Sequence, residues 1–272
     1  MRSPEAVLPA APRVLQIEAV ITISAVGSRH PLLVTTAAAA FAIGATTALA
    51  APRAHERTQS IIGPTRVLSN ERTVTRWAHP VARAAIRAQP RASARRVDRL
   101  RLFTEEGRSE VYLLLRSRRI GITVWVQIRI PGRPNGRTGW VPEDALGPAE
   151  VTTMALLISR SRLRATLFRA GRAIWSAPVG IGKPGTPTPA GRFWIRELLR
   201  VPGRSFYGPY AFGTSAYSIL SDWPGGGVVG IHGTNEPWLI PGRPSHGCVR
   251  MRNADITFLA RRLPVGAPVR IT

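Results

Sequence analysis

The sequence contains few cysteines, lysines and acidic residues. Its 272 residues include one cysteine, Cys248, and one lysine, Lys183. A single cysteine excludes an intrachain disulfide and a four-cysteine zinc site. Only 15 acidic residues accompany 38 basic ones, which gives a formal net charge of +23. Glycine and proline, at 25 and 24 residues, are too few for a low-complexity chain, so one or two globular domains are expected.

The positive charge is almost entirely arginine, and it is spread evenly between residues 51–149 and residues 150–272. A nucleic-acid-binding protein would be expected to gather its basic residues into a patch. Evenly spread arginine without lysine is better explained by guanine- and cytosine-rich codons, so no specific nucleic-acid partner is predicted. A weak affinity for anionic wall polymers is expected on either interpretation.

The sequence has one long uncharged run, Pro31–Ala51, which follows Arg29 and His30. It ends in Ala-Leu-Ala, so residues 1–50 resemble a signal segment with a small-residue cleavage site. A membrane-anchoring helix of about 20 residues is the alternative. Residues 1–28 would be an extended n-region or the result of a start codon assigned too early. We expect an exported protein of the cell wall or periplasmic space, secreted or anchored through residues 31–51.

The exported part divides into a polar linker, residues 51–71, and two folded units. Residues 72–148 predict a small all-β module, because residues 111–115 and 124–130 are rich in β-branched and aromatic side chains. The run Gly139–Leu146, with Gly-Trp-Val followed by a short turn, resembles the end of bacterial SH3-like wall modules. A generic β-hairpin with a packed tryptophan is the alternative.

The second unit, residues 150–272, predicts a β-sandwich or barrel made of short strands at regular spacing. One helix is expected over residues 253–263, with Asn253 as its N-cap. The fold class is therefore mainly β, with one or two short helices. The strands are expected at residues 155–158, 164–168 and 172–175, with a hairpin turn at Ala170-Gly171.

The chemistry of the second unit centres on its cysteine and its two histidines. Cys248 follows His246 by two residues, His232 lies upstream, and glycines flank the histidines and the thiol. A free thiol in an exported protein is at risk of oxidation, so its presence beside imidazoles indicates use in acyl transfer. A histidine can lower the pKa of a cysteine and hold a thiolate–imidazolium pair. A His-His-Cys zinc site and a buried structural cysteine are the alternatives.

Three ordered motifs resemble the L,D-transpeptidase (YkuD-type) catalytic domain. The first is His232 followed, after twelve residues, by Ser245-His246-Gly247-Cys248. The second lies in residues 178–193, with Gly-Lys and Pro-Thr-Pro, and the third is Gly208–Ser215. Together they cover roughly residues 151–272. Arg250 stands where the family often has asparagine, so no asparagine-specific role is transferred.

The resemblance implies a role for each matching residue. Cys248 would be the nucleophile, and His232 would be the proton acceptor and donor. The backbone carbonyl of Gly233 would orient the imidazole, and the Gly247 and Cys248 amides would bind the oxyanion. Glu236 and Asp222 would be surface residues. The positions carried over to the oxyanion site and the pocket are Gly233, Ser245, His246, Gly247 and Arg250.

The implied reaction is peptidoglycan cross-linking, which belongs to cell wall biogenesis and the maintenance of cell shape. A tetrapeptide stem would be cut between the L-centre of its third residue and D-Ala, and the acyl group would pass to a second stem in a 3→3 link. Water as acceptor would make the protein a carboxypeptidase, and a protein amine would make it an attachment enzyme. A cysteine peptidase of the NlpC/P60 type places Cys before His, and a degenerate wall-binding protein would not need the complete His and Cys set. No metal or cofactor is expected.

Overall fold

The computed structural model describes residues 62–203, 205–222 and 224–272. The expected export segment and most of the expected linker lie outside these residues. No helix in the described part is long and apolar enough to cross a membrane.

The strands fall into two antiparallel or mixed sheets, numbered here in chain order. The first sheet contains β1 (Arg66–Val67), β2 (Thr75–Ala78), β3 (Ala85–Arg87), β4 (Arg96–Arg99), β5 (Tyr112–Ile120), β6 (Thr123–Arg129), β7 (Thr138–Pro142) and β8 (Glu150–Thr152). The second sheet contains β9 (Met154–Ser159), β10 (Arg164–Arg169), β11 (Arg172–Pro178), β12 (Gly180–Gly182), β13 (Gly191–Arg200), β14 (Tyr210–Tyr217), β15 (Val228–His232), β16 (Gly242–Ser245), β17 (Val249–Arg250) and β18 (Pro268–Ile271). The helices are α1 (Asn253–Ala260) and three short 3-10 segments, Glu143–Ala145, Pro224–Gly227 and Pro237–Leu239.

The first sheet has the strand order β4-β3-β7-β6-β5-β2-β8, and β1 pairs with β5. The start of β5 is apolar on both faces, because Tyr112 and Leu114 enter the core of this sheet while Leu113 packs against Trp77 and Trp194. The core of the sheet contains Ile86, Tyr112, Val126 and Val141, all almost fully buried. The SH3-like interpretation of residues 72–148 stays a prediction.

The second sheet has the order β11-β10-β9-β18-β13-β14-β15-β17-β12-β16. β13 joins its two halves, because its first residues pair with β18 and its later residues pair with β14. Side chains from both halves and from α1 share one core, as in a β-sandwich. Residues of this core include Leu167, Phe193, Phe212, Val249 and Ile256.

The two sheets belong to one compact unit. Trp194 of the second sheet packs with Trp77 and Leu113 of the first, and its indole N–H donates to the carbonyl of Val111 at 2.8 Å. Beside this contact the guanidinium of Arg196 pairs with Glu110, and neither side chain is exposed to solvent. The junction is therefore both apolar and ionic.

The predicted fold class is confirmed, since the described part is mainly β with a single α-helix. The three strands predicted at the start of the second unit are present as β9, β10 and β11, and positive φ at Ala170 and Gly171 makes their hairpin turn. The helix ends earlier than expected, at Ala260, and the predicted cap is wrong. Arg252 occupies the N-cap position without a side-chain cap, because the Asn253 side chain is bonded to the amide of Thr234 instead.

Candidate active site

The pairing of two parallel strands brings Cys248 close to His232. In the β15–β17 ladder Ile231 is opposite Val249 and His232 is opposite Arg250. The same offset places Gly230 opposite Cys248, and the amide of Gly230 donates to Cys248 Sγ at 3.4 Å. Strand register thus brings together His232 and Cys248, which lie sixteen positions apart in the sequence.

Gly230 leaves an open space between the imidazole and the thiol. A Cβ atom at this position would lie 3.8 Å from His232 Cδ2 and 3.9 Å from Cys248 Sγ. Both side chains therefore border the same point, and Gly230 adds no side chain of its own there. Cys248 as a residue is partly exposed, whereas His232 is 2% exposed.

The tautomer of His232 follows from its hydrogen bond. Nδ1 lies 2.6 Å from the carbonyl oxygen of Gly233, and because a carbonyl can only accept, Nδ1 carries the proton. This is the contact that the resemblance implied. Burial, assisted by the charge of Arg250 and opposed by this hydrogen bond, lowers the pKa of His232 to about 4. The ring is therefore neutral at pH 7, with Nε2 unprotonated.

The thiol of Cys248 is also neutral at rest. Burial raises its pKa above the ordinary value, although the Gly230 amide and the Arg250 charge act in the opposite direction. Both shifts therefore favour a neutral thiol and a neutral imidazole over the thiolate–imidazolium pair that the sequence had allowed. The arrangement suits a neutral base that accepts the thiol proton as the sulfur attacks.

The loop before Cys248 is fixed by internal hydrogen bonds. Ser245 is buried, and its hydroxyl donates to the carbonyl of Cys248 at 2.6 Å and accepts from the amide of Gly247 at 3.2 Å. Ser245 thus shapes the loop, and its expected place in the pocket stays a prediction. The Gly247 amide, one of the two amides expected to bind the oxyanion, is therefore already bonded to Ser245, and the oxyanion role of the Cys248 amide stays a prediction. Gly247 has φ of 125°, a conformation that favours glycine.

A residue of the second motif supports this loop and was not singled out from the sequence. The hydroxyl of Thr188 accepts from the amide of Gly182 at 2.9 Å and donates to the carbonyl of Gly247 at 2.7 Å. Its side chain is fully buried. The Pro-Thr-Pro motif therefore holds the cysteine loop in place through the Thr188 hydroxyl. In the sequence, only the short spacing between Gly182 and Thr188 indicated this role.

The two histidines differ in burial. His246 is exposed, whereas its neighbours Ser245 and Gly247 are buried and His232 lies in the sheet. This difference fits the expected divergence of His246 and Cys248 at a tight turn. The assignment of His232 as base and His246 as pocket residue stays a prediction.

Arg250 and Glu236 form an ion pair beside the thiol. Arg250 Nη1 donates to Glu236 Oε2 at 2.8 Å, and the Arg250 side chain is 8% exposed. Glu236 is partly exposed at the surface, as expected, and it also pairs with a buried arginine, which the sequence did not predict. The ring of Phe206 lies 4.3 Å from the guanidinium, and the ring of Tyr207 lies 4.8 Å from the imidazole of His232.

Arg133, in the loop between β6 and β7, binds a segment of the second sheet that lies next to the cysteine loop. Arg133 donates to the carbonyls of Ser218, Leu220 and Gly226 at 2.8 to 3.1 Å. A Cβ atom on Gly247 would lie 3.2 Å from the Cβ of Ser218, so this segment borders the turn before the thiol. The first sheet therefore contacts the site through this segment, and no sequence motif indicated that contact.

The metal alternative finds no support in the arrangement of side chains. Within the described residues there is no group of three or more His, Cys, Asp and Glu side chains placed to hold a metal ion.

A cavity of about 300 Å³ is lined by Arg72, Arg192 and Arg270 together with apolar residues of β9 and β18, and it includes none of the predicted site residues.

Comparison with known proteins identifies the same region. A family model described as the L,D-transpeptidase catalytic domain, YkuD, matches residues 153–271. YkuD of Bacillus subtilis, whose name assigns it to the L,D-transpeptidases, is 34% identical over 151 residues, which cover 56% of this chain and 77% of that protein. YbiS of Escherichia coli K12, also named for that family, is 30% identical over 149 residues, 48% of each chain.

A solved L,D-transpeptidase from Mycobacterium smegmatis is 14% identical, with 77% of this chain and 99% of that chain covered. Its TM-score of 0.38 is too low to support a conclusion about the fold. The chain spans about half the length of the E. coli relative. On the sequence matches, the chain belongs to the L,D-transpeptidase family, with the YkuD catalytic domain at residues 153–271.

Proposed function

We propose that the protein is an exported, cysteine-dependent L,D-transpeptidase that cross-links peptidoglycan. Cys248 is the nucleophile, His232 is the general base and acid, and a tetrapeptide stem is the acyl donor. The observation that carries the proposal is the register of β15 and β17, which places thiol and imidazole around Gly230. Export is proposed from the uncharged run at residues 31–51.

The first half of the reaction forms a thioester. Sγ attacks the carbonyl carbon of the third stem residue while Nε2 of His232 takes the thiol proton. The bond from Nδ1 to the Gly233 carbonyl keeps Nε2 as the accepting nitrogen and stabilises the imidazolium that forms. The Cys248 amide binds the oxyanion that develops. When the tetrahedral intermediate collapses, the C–N bond breaks and His232 returns the proton to the amine of D-Ala.

The second half transfers the acyl group. The amine of a second stem attacks the thioester carbonyl, His232 accepts a proton from that amine, and the C–S bond breaks to regenerate the thiol. An amide joins the two stems, so no oxidant, metal or other cofactor is needed to balance the reaction. Water in place of the amine would give a tripeptide stem, and a protein amine would give a wall-attached protein.

The acceptor is tested by analysing the products of the purified full chain with a disaccharide-tetrapeptide. Liquid chromatography with mass spectrometry should detect free D-Ala and a 3→3 dimer. Tripeptide monomer alone would identify a carboxypeptidase. Replacing Cys248 by Ala should abolish D-Ala release, and replacing His232 by Ala should lower its rate by roughly 10²–10⁴ at neutral pH. Failure of the unaltered protein to release D-Ala would refute the proposal.

The location is tested separately with a reporter fused after residue 60. The proposal predicts reporter activity outside the cytoplasm. Reporter activity confined to the cytoplasm would contradict it.

A further inference from the structure

Arg250 is held beside the nucleophile in a way that the reaction steps above do not use. It follows Cys248 by two residues and lies opposite His232 in the parallel ladder, so its side chain shares their face of the sheet. The guanidinium is close enough to lower the pKa of both groups. It is a buried cation at the centre of the site.

The ion pair with Glu236 satisfies only one end of this guanidinium. Nη1 donates to Glu236, whereas Nε is buried and has no hydrogen-bond partner among the described residues. An unsatisfied buried donor on a charged group is costly, and such groups in native proteins call for an explanation. The edge formed by Nε and Nη2 is the one that arginine uses for side-on, bidentate binding of a carboxylate.

The donor stem places a carboxylate near this position. In a tetrapeptide, only the nitrogen and the α-carbon of D-Ala separate the scissile carbonyl from the C-terminal carboxylate. Sulfur attack at that carbonyl therefore brings the carboxylate within reach of side chains that neighbour Cys248. A further residue on the stem would replace this carboxylate by a neutral peptide bond.

We propose that Arg250 binds the C-terminal carboxylate of the leaving D-Ala through its Nε–Nη2 edge, while Glu236 holds Nη1. This inference rests on the proposed function. Arg250 would then select stems that end at the fourth residue. Glu236 holds the Arg250 guanidinium in position, and the ring of Phe206 lies against the face of that guanidinium. The group recognised is a carboxylate attached one carbon beyond the scissile nitrogen.

The test compares two donors, a tetrapeptide ending in a free carboxylate and the same peptide ending in a carboxamide. The rate constant kcat/KM for release of D-Ala or D-alaninamide is measured for the unaltered full chain and for Arg250→Gln and Arg250→Lys. The unaltered protein should prefer the acid by roughly 10- to 100-fold, the range expected for charge-assisted hydrogen bonds. Arg250→Gln should reduce this preference to near unity, and Arg250→Lys should retain part of it.

Arg252→Gln is the matched control, because Arg252 is a nearby arginine that is exposed and bonds to the carbonyl of Ile240. It should keep the full preference for the acid. An equal rate for acid and amide in the unaltered protein would overturn the proposal. So would a preference for the acid that survives in Arg250→Gln.

A second measurement separates this proposal from the proposed function and from loss of folding. Iodoacetamide labelling of Cys248 is followed with each peptide present, and the tryptophan fluorescence of every variant reports its fold. The acid should slow labelling more than the amide in the unaltered protein but not in folded Arg250→Gln. This difference is expected even if neither peptide is cleaved, in which case only the proposed function fails. Equal protection by both peptides would overturn carboxylate binding by Arg250.

Discussion

The buried neutral imidazole of His232 should make the stability of the protein depend on pH in a defined window. The pKa of His232 is lowered to about 4 in the folded chain, against about 6.5 for an unfolded histidine. Below pH 6.5 the unfolded chain therefore binds this proton more tightly than the folded chain. The free energy of unfolding should fall as the pH falls from 6.5 to 4, and level off below 4. The full contribution of this one group is about 3 kcal/mol.

The assay is urea unfolding at pH 7.0 and pH 4.5, followed by tryptophan fluorescence. His232→Asn, which can keep a donor toward the Gly233 carbonyl, and His232→Phe, which keeps an aromatic ring, both remove the titration. Between the two pH values, the unaltered protein should lose about 2 kcal/mol more than either variant. Equal losses in all three proteins would refute the view that His232 is buried in its neutral form, whatever their stabilities at pH 7.0.

Three further substitutions have predictable effects. Gly230→Ala places a methyl group between imidazole and thiol at ordinary contact distances, so D-Ala release should fall at least about tenfold while stability changes by less than about 1 kcal/mol. Gly185→Ala, where no atom lies within 4 Å, is its control, and equal activity of the two would contradict the geometry. Arg196→Met leaves Glu110 buried without its partner and should cost about 3–5 kcal/mol in urea unfolding, whereas a change below 1 kcal/mol would count against the buried pair. Arg133→Ala should raise KM for the donor more than it lowers kcat, and unaltered kinetics would exclude a role for the first sheet in the site.

Local patterns were sufficient to predict the three strands that begin the second sheet and to single out Cys248 as the candidate nucleophile. The hairpin of β10 and β11 follows from alternating apolar residues and a turn at Ala170-Gly171, both of which are properties of adjacent residues. Cys248 and His232 were identified because the thiol is unique and glycines surround both. The Gly233 contact was implied by the resemblance, and it involves the neighbouring residue in the chain.

Partners that are distant in sequence could not be predicted in this way. Asparagine is a common N-cap residue, yet the side-chain oxygen of Asn253 accepts a hydrogen bond from the amide of Thr234, nineteen residues earlier. Glu236 looked like a surface carboxylate because nothing nearby in sequence suggested that Arg250 would be buried against it. Each of these outcomes depends on strand register, which brings together groups whose local sequence gives no sign of the contact.

The central claim is that Cys248 carries the acyl group, and mass spectrometry of the protein tests it most directly. The full chain is mixed with a disaccharide-tetrapeptide, quenched in acid, and measured intact and after digestion. The account predicts a mass increase equal to the donor minus D-Ala, located on the peptide that contains Cys248 and absent from Cys248→Ala. An adduct on another residue, or D-Ala release by Cys248→Ala, would contradict it.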